Sequence, residues 1–261
     1  MKRFVALLAL VLILAACSTG DELATSPTAD TFLELESESE LDTQTYGGHV
    51  GTYKVTIENL SKGQPFTPPV AVTHPRYLRL FIRGWRATQG VKEIAENGNV
   101  APLAEGLASL EGSRFVTDTL VALGAEGDPP PILPGTSRSF EIDGRSRDVV
   151  SFVSMLICTN DGFTGKAMHL PRRVGKSYTS YAIGYDAGTE LNTEDFSDIV
   201  PPCPALTGIK TDKAGTGESN PELAEGSVVK RHPNIQGGTD LLPELHGWQE
   251  PVAKITVKRI D

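Results

Sequence analysis

Cysteine is almost missing from this 261-residue chain: there are three, and no two are spaced as a CxxC pair. Paired-thiol redox and zinc motifs therefore lack their residues, and GxSxG, GxxxxGK and HExxH are missing as well. The templates for nucleophilic, phosphoryl-transfer and zinc-hydrolase chemistry thus go unfilled. Basic charge is also short, because 24 Lys plus Arg face 33 Asp plus Glu for a net charge of −9. Nucleic-acid binding needs a basic face, so this balance excludes nucleic acid as a partner class and favours cations as ligands. A content of 39% hydrophobic and 22% charged residues, with 26 Gly and 18 Pro, fits a soluble globular protein and not a collagenous, disordered or multi-span one.

What is present begins with an uneven N-terminus. Lys2 and Arg3 precede an apolar run from Phe4 to Ala16, and Cys17 follows. A charged start, a short apolar stretch and small residues at its end describe a secretory signal over residues 1–16. Leu14-Ala15-Ala16-Cys17 resembles the lipobox of bacterial lipoproteins, which implies cleavage before Cys17, acylation of that residue and a membrane anchored through its lipid. Ser18 stands where an Asp would imply inner-membrane retention, so the expected location is the outer membrane or cell surface. Loss of Lys2 and Arg3 with the leader takes the net charge from −9 to −11. Residues 17–50 then form an acidic tether: Asp21, Glu22, Asp30, Glu34, Glu36, Glu38, Glu40 and Asp42 stand there without a Lys or Arg. A coil of this length spans roughly 30 Å root-mean-square, enough to hold a domain clear of lipid.

From residue 51 to 261 the pattern is that of strands. Tyr53, Val55 and Ile57 alternate with polar residues, as do Ile255 and Val257, so both ends of the domain read as half-buried strands of one sheet system. Tyr77–Ile82, Ser139–Ile142, Val149–Ile157 and Tyr178–Tyr185 are strand-like, and Lys166–Leu170 reads as a short return strand. Val91–Glu96 and Pro102–Leu110 read as short helices, and Thr117–Leu123 suits either state. Many short strands between Gly and Pro turns predict a mainly β, antiparallel β-sandwich with one or two short helices. Residues 204–240 read as a long polar surface loop.

With Cys17 acylated, Cys158 and Cys203 remain, and export favours a disulfide between them. The alternative is two separately buried thiols. His232 and His246 lie in loops as a conceivable metal pair, with scattered structural histidines the plainer reading. The acidic loops say more: one strand runs into Asn160-Asp161-Gly162 and another into Asp186-Ala187-Gly188-Thr189-Glu190. Carboxylates on tight turns can converge on a hard cation, although Asp and Gly also simply make turns.

Several stretches taken together resemble one family. YKVTIENLSKGQPFTPPVAVTH from Tyr53, AENGN from Ala95, SMLICTNDGFTG from Ser154, YDAGTELNTE from Tyr185, HGW from His246 and the closing PVAKITVKRI resemble the bacterial form of the spondin domain. The resemblance implies a sandwich like the calcium-and-lipid-binding domains, an extracellular location and adhesion instead of catalysis. It implies a Ca2+ site formed by Asp161 and Asp186, with Glu190 where the family motif has Asp and with Glu96 of AENG as a further ligand. Gly162 replaces an aromatic residue of the family loop. The function expected is a membrane-anchored, calcium-binding module that recognises a surface protein or glycan. The alternative is a secreted carbohydrate-active or hydrolytic enzyme using Asp161 and Asp186 as acid and base.

Overall fold

The computed structural model describes residues 49–128 and 130–261. The expected leader, the expected acylation site at Cys17 and the expected tether up to residue 48 lie outside the described residues. No helix among the described residues is long and apolar enough to cross a membrane.

Among the described residues, ten strands form two antiparallel sheets. They are β1 (Val50–Asn59), β2 (Val70–Pro75), β3 (Asp118–Val121), β4 (Ser137–Arg145), β5 (Asp148–Met155), β6 (Gly162–His169), β7 (Ser177–Ala182), β8 (Gly184–Asp186), β9 (Lys230–Arg231) and β10 (Ala253–Arg259). One sheet runs β4-β1-β10-β7 and the other β3-β2-β5-β6-β8-β9. The sequence ends meet as the alternation requires, with Tyr53 opposite Arg259 and Ile57 opposite Ile255. Tyr53, Val55, Ile57, Ile255 and Val257 point into the core, and the residues between them face outward. Each such side chain taken from water contributes about 1.5–3 kcal/mol.

The uninterrupted apolar run of β5 has a different origin. All eight of its residues are buried, because both helix α1 (Gln89–Asn97) and β4 of the four-stranded sheet pack against it. A strand covered on both sides needs no alternation. Helix α1 opens with Thr88, whose hydroxyl accepts from the Val91 amide at 3.3 Å, and it packs Val91, Ile94 and Ala95 inward. Helix α2 (Ala101–Ala108) follows, and two short helices, α3 (Pro202–Leu206) and α4 (Pro243–His246), sit in the C-terminal third.

Three expectations are corrected, and one open reading is resolved. Tyr77–Ile82 is not a strand: the preceding β2 pairs instead, and residues 76–88 form a loop with turns at Pro75–Leu78 and Ile82–Trp85. Two of its apolar residues are anchors, Leu80 packing on the core and Phe81 meeting the rings of Phe163 and Tyr185 edge-on at 5.0 Å each. Tyr178–Tyr185 is two strands, β7 in one sheet and β8 in the other. The chain changes sheets at Ile183, and Gly184 lets the backbone approach Trp248, whose ring an added Cβ would meet at 3.0 Å. The 204–240 loop is not purely surface, since Val229 is wholly buried and Lys230–Arg231 completes an edge strand. The ambiguous Thr117–Leu123 contains β3.

Cys158 and Cys203 form a disulfide with Cα atoms 5.1 Å apart. It ties the end of β5 to α3. Gln64 braces the same point, accepting from the Cys158 amide at 2.9 Å and donating to the Cys158 and His246 carbonyls at 3.0 and 2.6 Å.

Candidate functional site

Asp161 closes the turn between β5 and β6, and Asp186 ends β8. Pairing of β6 with β8 sets Gly162 opposite Asp186, which places the two acids side by side. The turn is shaped by Thr159, whose hydroxyl donates to the Leu156 carbonyl at 2.6 Å and accepts from the Gly162 amide at 2.9 Å. Beyond Asp186 the chain bends at Gly188, whose φ of 70° is in the left-handed region. Segment 187–191 then runs against 223–227: the Ser227 amide donates to the Gly188 carbonyl at 2.7 Å and the Glu225 amide to that of Thr189 at 3.1 Å. This path delivers a third carboxylate, so that one oxygen from each of Asp161, Asp186 and Glu225 lies within 4.8 Å of the others.

The hydrogen bonds around these acids are incomplete. Asp161 Oδ2 accepts from the amides of Thr189 and Glu190 at 2.8 and 3.2 Å, while its buried Oδ1 has no partner. Asp186 accepts from the Gly188 amide at 2.8 Å and from Asn192 Nδ2 at 2.9 Å. Lys230 Nζ stands 2.6 Å from Glu225 and 3.6 Å from Asp186. Burial, and next the charge of Asp186, pushes the Asp161 carboxyl up to about 7. Burial likewise raises Asp186, against its bond from Asn192.

Glu96 and Glu190 form a neighbouring pair and are not in that group of three. Glu96 Oε2 accepts from Lys92 Nζ at 2.5 Å and from the Ser219 hydroxyl, and Glu96 Oε1 is buried without a partner. Burial, followed by the charge of Glu96, pushes Glu190 up to about 8. Asn160 organises the loop, accepting from the Glu194 amide at 3.2 Å and donating to Thr193 Oγ1 at 3.2 Å.

The histidines do not meet as a metal pair. His232 meets the Trp248 ring at a tilt of 58° and His246 meets Phe196 edge-on. His246 lies beside Cys158 and Cys203, but those sulfurs are spent in the disulfide. Sequence reasoning missed Glu225 and Lys230. The local signal in Glu225-Gly226, a carboxylate beside a glycine as in Asp161-Gly162, marks a turn but not where that turn lies.

Three carboxylates and one ammonium carry a net charge of −2, and all the free donors are oxygens, which suits a hard divalent cation. Fold and site together define a β-sandwich recognition module whose loops gather acids at one end. The Spondin_N family model matches residues 58–197, over half of the chain, and the chain belongs to that family. Its domains are extracellular and of a non-enzymatic type. The match includes Asp161, Asp186, Glu190 and Glu96, whereas Cys203, Glu225 and the closing strand lie beyond it. No curated protein matches the chain.

Proposed function

We propose that the protein is an exported, lipid-anchored adhesion or ligand-recognition module whose loop end is set by a calcium ion. The observation that carries this reading is the convergence of Asp161, Asp186 and Glu225 around an unpartnered, fully buried Asp161 oxygen. Asp161, Asp186 and Glu225 would hold the ion, which supplies the positive charge that lets them ionise together. Glu190 and Glu96 stand behind them as a second acidic pair. Ser219 ties its own segment to helix α1, its hydroxyl accepting from Lys92 and donating to Glu96 of that helix. Extracellular modules of this kind bind calcium at roughly 10⁻⁴ to 10⁻³ M. What the ion provides is rigidity, because loops whose carboxylates repel become cross-linked, and a partner meets a preformed surface.

The acid-and-base reading of Asp161 and Asp186 has weaker support. Both side chains are wholly buried, and neither lines the open cleft around Trp248 or that around Ile209. The test is thermal unfolding in calcium and in chelator for the parent, Asp161→Asn and Asp186→Asn. Calcium is expected to raise the parent midpoint and leave both variants unmoved. A parent midpoint indifferent to calcium would overturn the proposal.

A further inference from the structure

The chain is acidic overall, yet residues 59–92 contain no Asp or Glu. Within that stretch the 76–88 loop carries Arg76, Arg79, Arg83 and Arg86, all exposed. None of the four forms an ion pair among the described residues. Between them stand three large apolar side chains that face water: Tyr77 is 66% exposed, Trp85 54% and Ile82 44%.

This is a built surface, not a loose loop. Phe81 is wedged against Phe163 and Tyr185, and Leu80 packs on the core. At the tip, the Gly84 amide donates to the Val229 carbonyl and the Val229 amide to the Trp85 carbonyl, both at 2.8 Å. The Trp85 amide closes the turn onto the Ile82 carbonyl at 3.1 Å, with Gly84 at a φ of 85°. Inward residues fix the backbone, so the arginines and apolar side chains are presented outward without further ordering.

We infer that the 76–88 loop is a docking surface for an anionic lipid bilayer. Arginines without carboxylate partners have charge left to give to phosphate headgroups, each such residue strengthening attraction about fivefold. A soluble polyanion would explain the arginines alone. Trp85, Tyr77 and Ile82 gain from an apolar boundary, which a soluble polyanion lacks and a bilayer offers beside its charge, and Trp and Tyr are the side chains that settle at the level of the headgroups. Charges more than about 8 Å away are screened at physiological salt, and although Glu250 and Arg83 both act on Tyr185, no carboxylate among the described residues is ion-paired with the four arginines.

Trp85 itself reports the outcome, because the other tryptophan, Trp248, is buried against His232. The full chain is reconstituted into phosphatidylcholine vesicles with and without phosphatidylglycerol, and with brominated lipid as quencher. In phosphatidylglycerol vesicles the Trp85 emission is expected to shift to the blue and be quenched, and to lose both effects at high salt. The Arg79→Ser/Arg83→Ser/Arg86→Ser variant, changed only at exposed positions, is expected to lose most of the quenching, and Trp85→Phe to lose the signal. Equal Trp85 emission in both kinds of vesicle overturns the inference. So does a blue shift without vesicles, which would mean that the chain's own acidic residues or a second copy cover the loop. An equal shift on adding a soluble polyanion of matched charge overturns it too.

Discussion

Asp161 keeps one oxygen tied to two amides and leaves the other bare, and its neighbour Lys230 decides how costly that is. The ammonium lies 2.6 Å from Glu225 and 3.6 Å from Asp186, so it offsets repulsion where a cation would sit. Lys230→Met is therefore expected to lower the stability of the calcium-free protein and to tighten calcium binding by about tenfold. The bare Coulomb figure of several kcal/mol is discounted for a partly exposed ammonium. Titration calorimetry checks it, and an unchanged affinity would mean that the ammonium already swings away when the ion arrives. Asp161 and Asp186 were legible in the sequence because each ends a strand beside a glycine turn. Glu225 was not, since its place depends on the route that 223–227 takes against Gly188, and nothing local in the sequence encodes that route.

At the scale of elements, the turn after β8 is the most sensitive to a single atom. A Cβ on Gly188 would meet the Val228 backbone at 2.6 Å, in a conformation that L side chains seldom adopt. Gly188→Ala is expected to cost about 2 kcal/mol or more and to abolish the calcium response, because the 187–191 and 223–227 segments would part. Denaturant unfolding in calcium and in chelator measures both effects. The disulfide acts through the unfolded chain instead. With a sequence separation of 45, Cys158→Ala/Cys203→Ala is expected to lower stability by about 4 kcal/mol, and a loss under about 1 kcal/mol would argue against the chain-entropy account. Strands with one wet face, such as β1 and β10, could be read from their alternation. Tyr77–Ile82 could not, because Leu80 and Phe81 pin a loop while Tyr77 and Ile82 face water, and local composition is the same for a strand and for such a loop. The division of Tyr178–Tyr185 between two sheets also escaped, since a change of sheet at Ile183 leaves strand composition intact on both sides.

Over the whole molecule, buried carboxyls and a buried histidine pull the pH response in opposite directions. Asp161, held at about 7, Glu190, at about 8, and Asp186, also raised, all resist ionisation chiefly through burial. In the unfolded chain they ionise near the ordinary values of 3.8 and 4.5. The folded protein therefore holds more protons than the unfolded one through this window, and the stability they contribute at low pH is lost as pH rises through their folded values. His232 is buried beside Lys230 and pushed down from 6.5 to about 3. Its unfolded form takes up a proton that the folded form refuses, so this residue costs stability as pH falls below about 6.5. Below that point the two effects oppose, and above it only the carboxyls act. In chelator the unfolding midpoint is thus expected to fall between pH 6.5 and 8. Calcium bound to ionised carboxylates competes with their protons, so its affinity rises with pH and saturating calcium should flatten or reverse the fall. A chelated protein that gains stability over the same interval would mean that Asp161 and Glu190 are ionised there without the ion, and that the acidic loops do not need calcium to close.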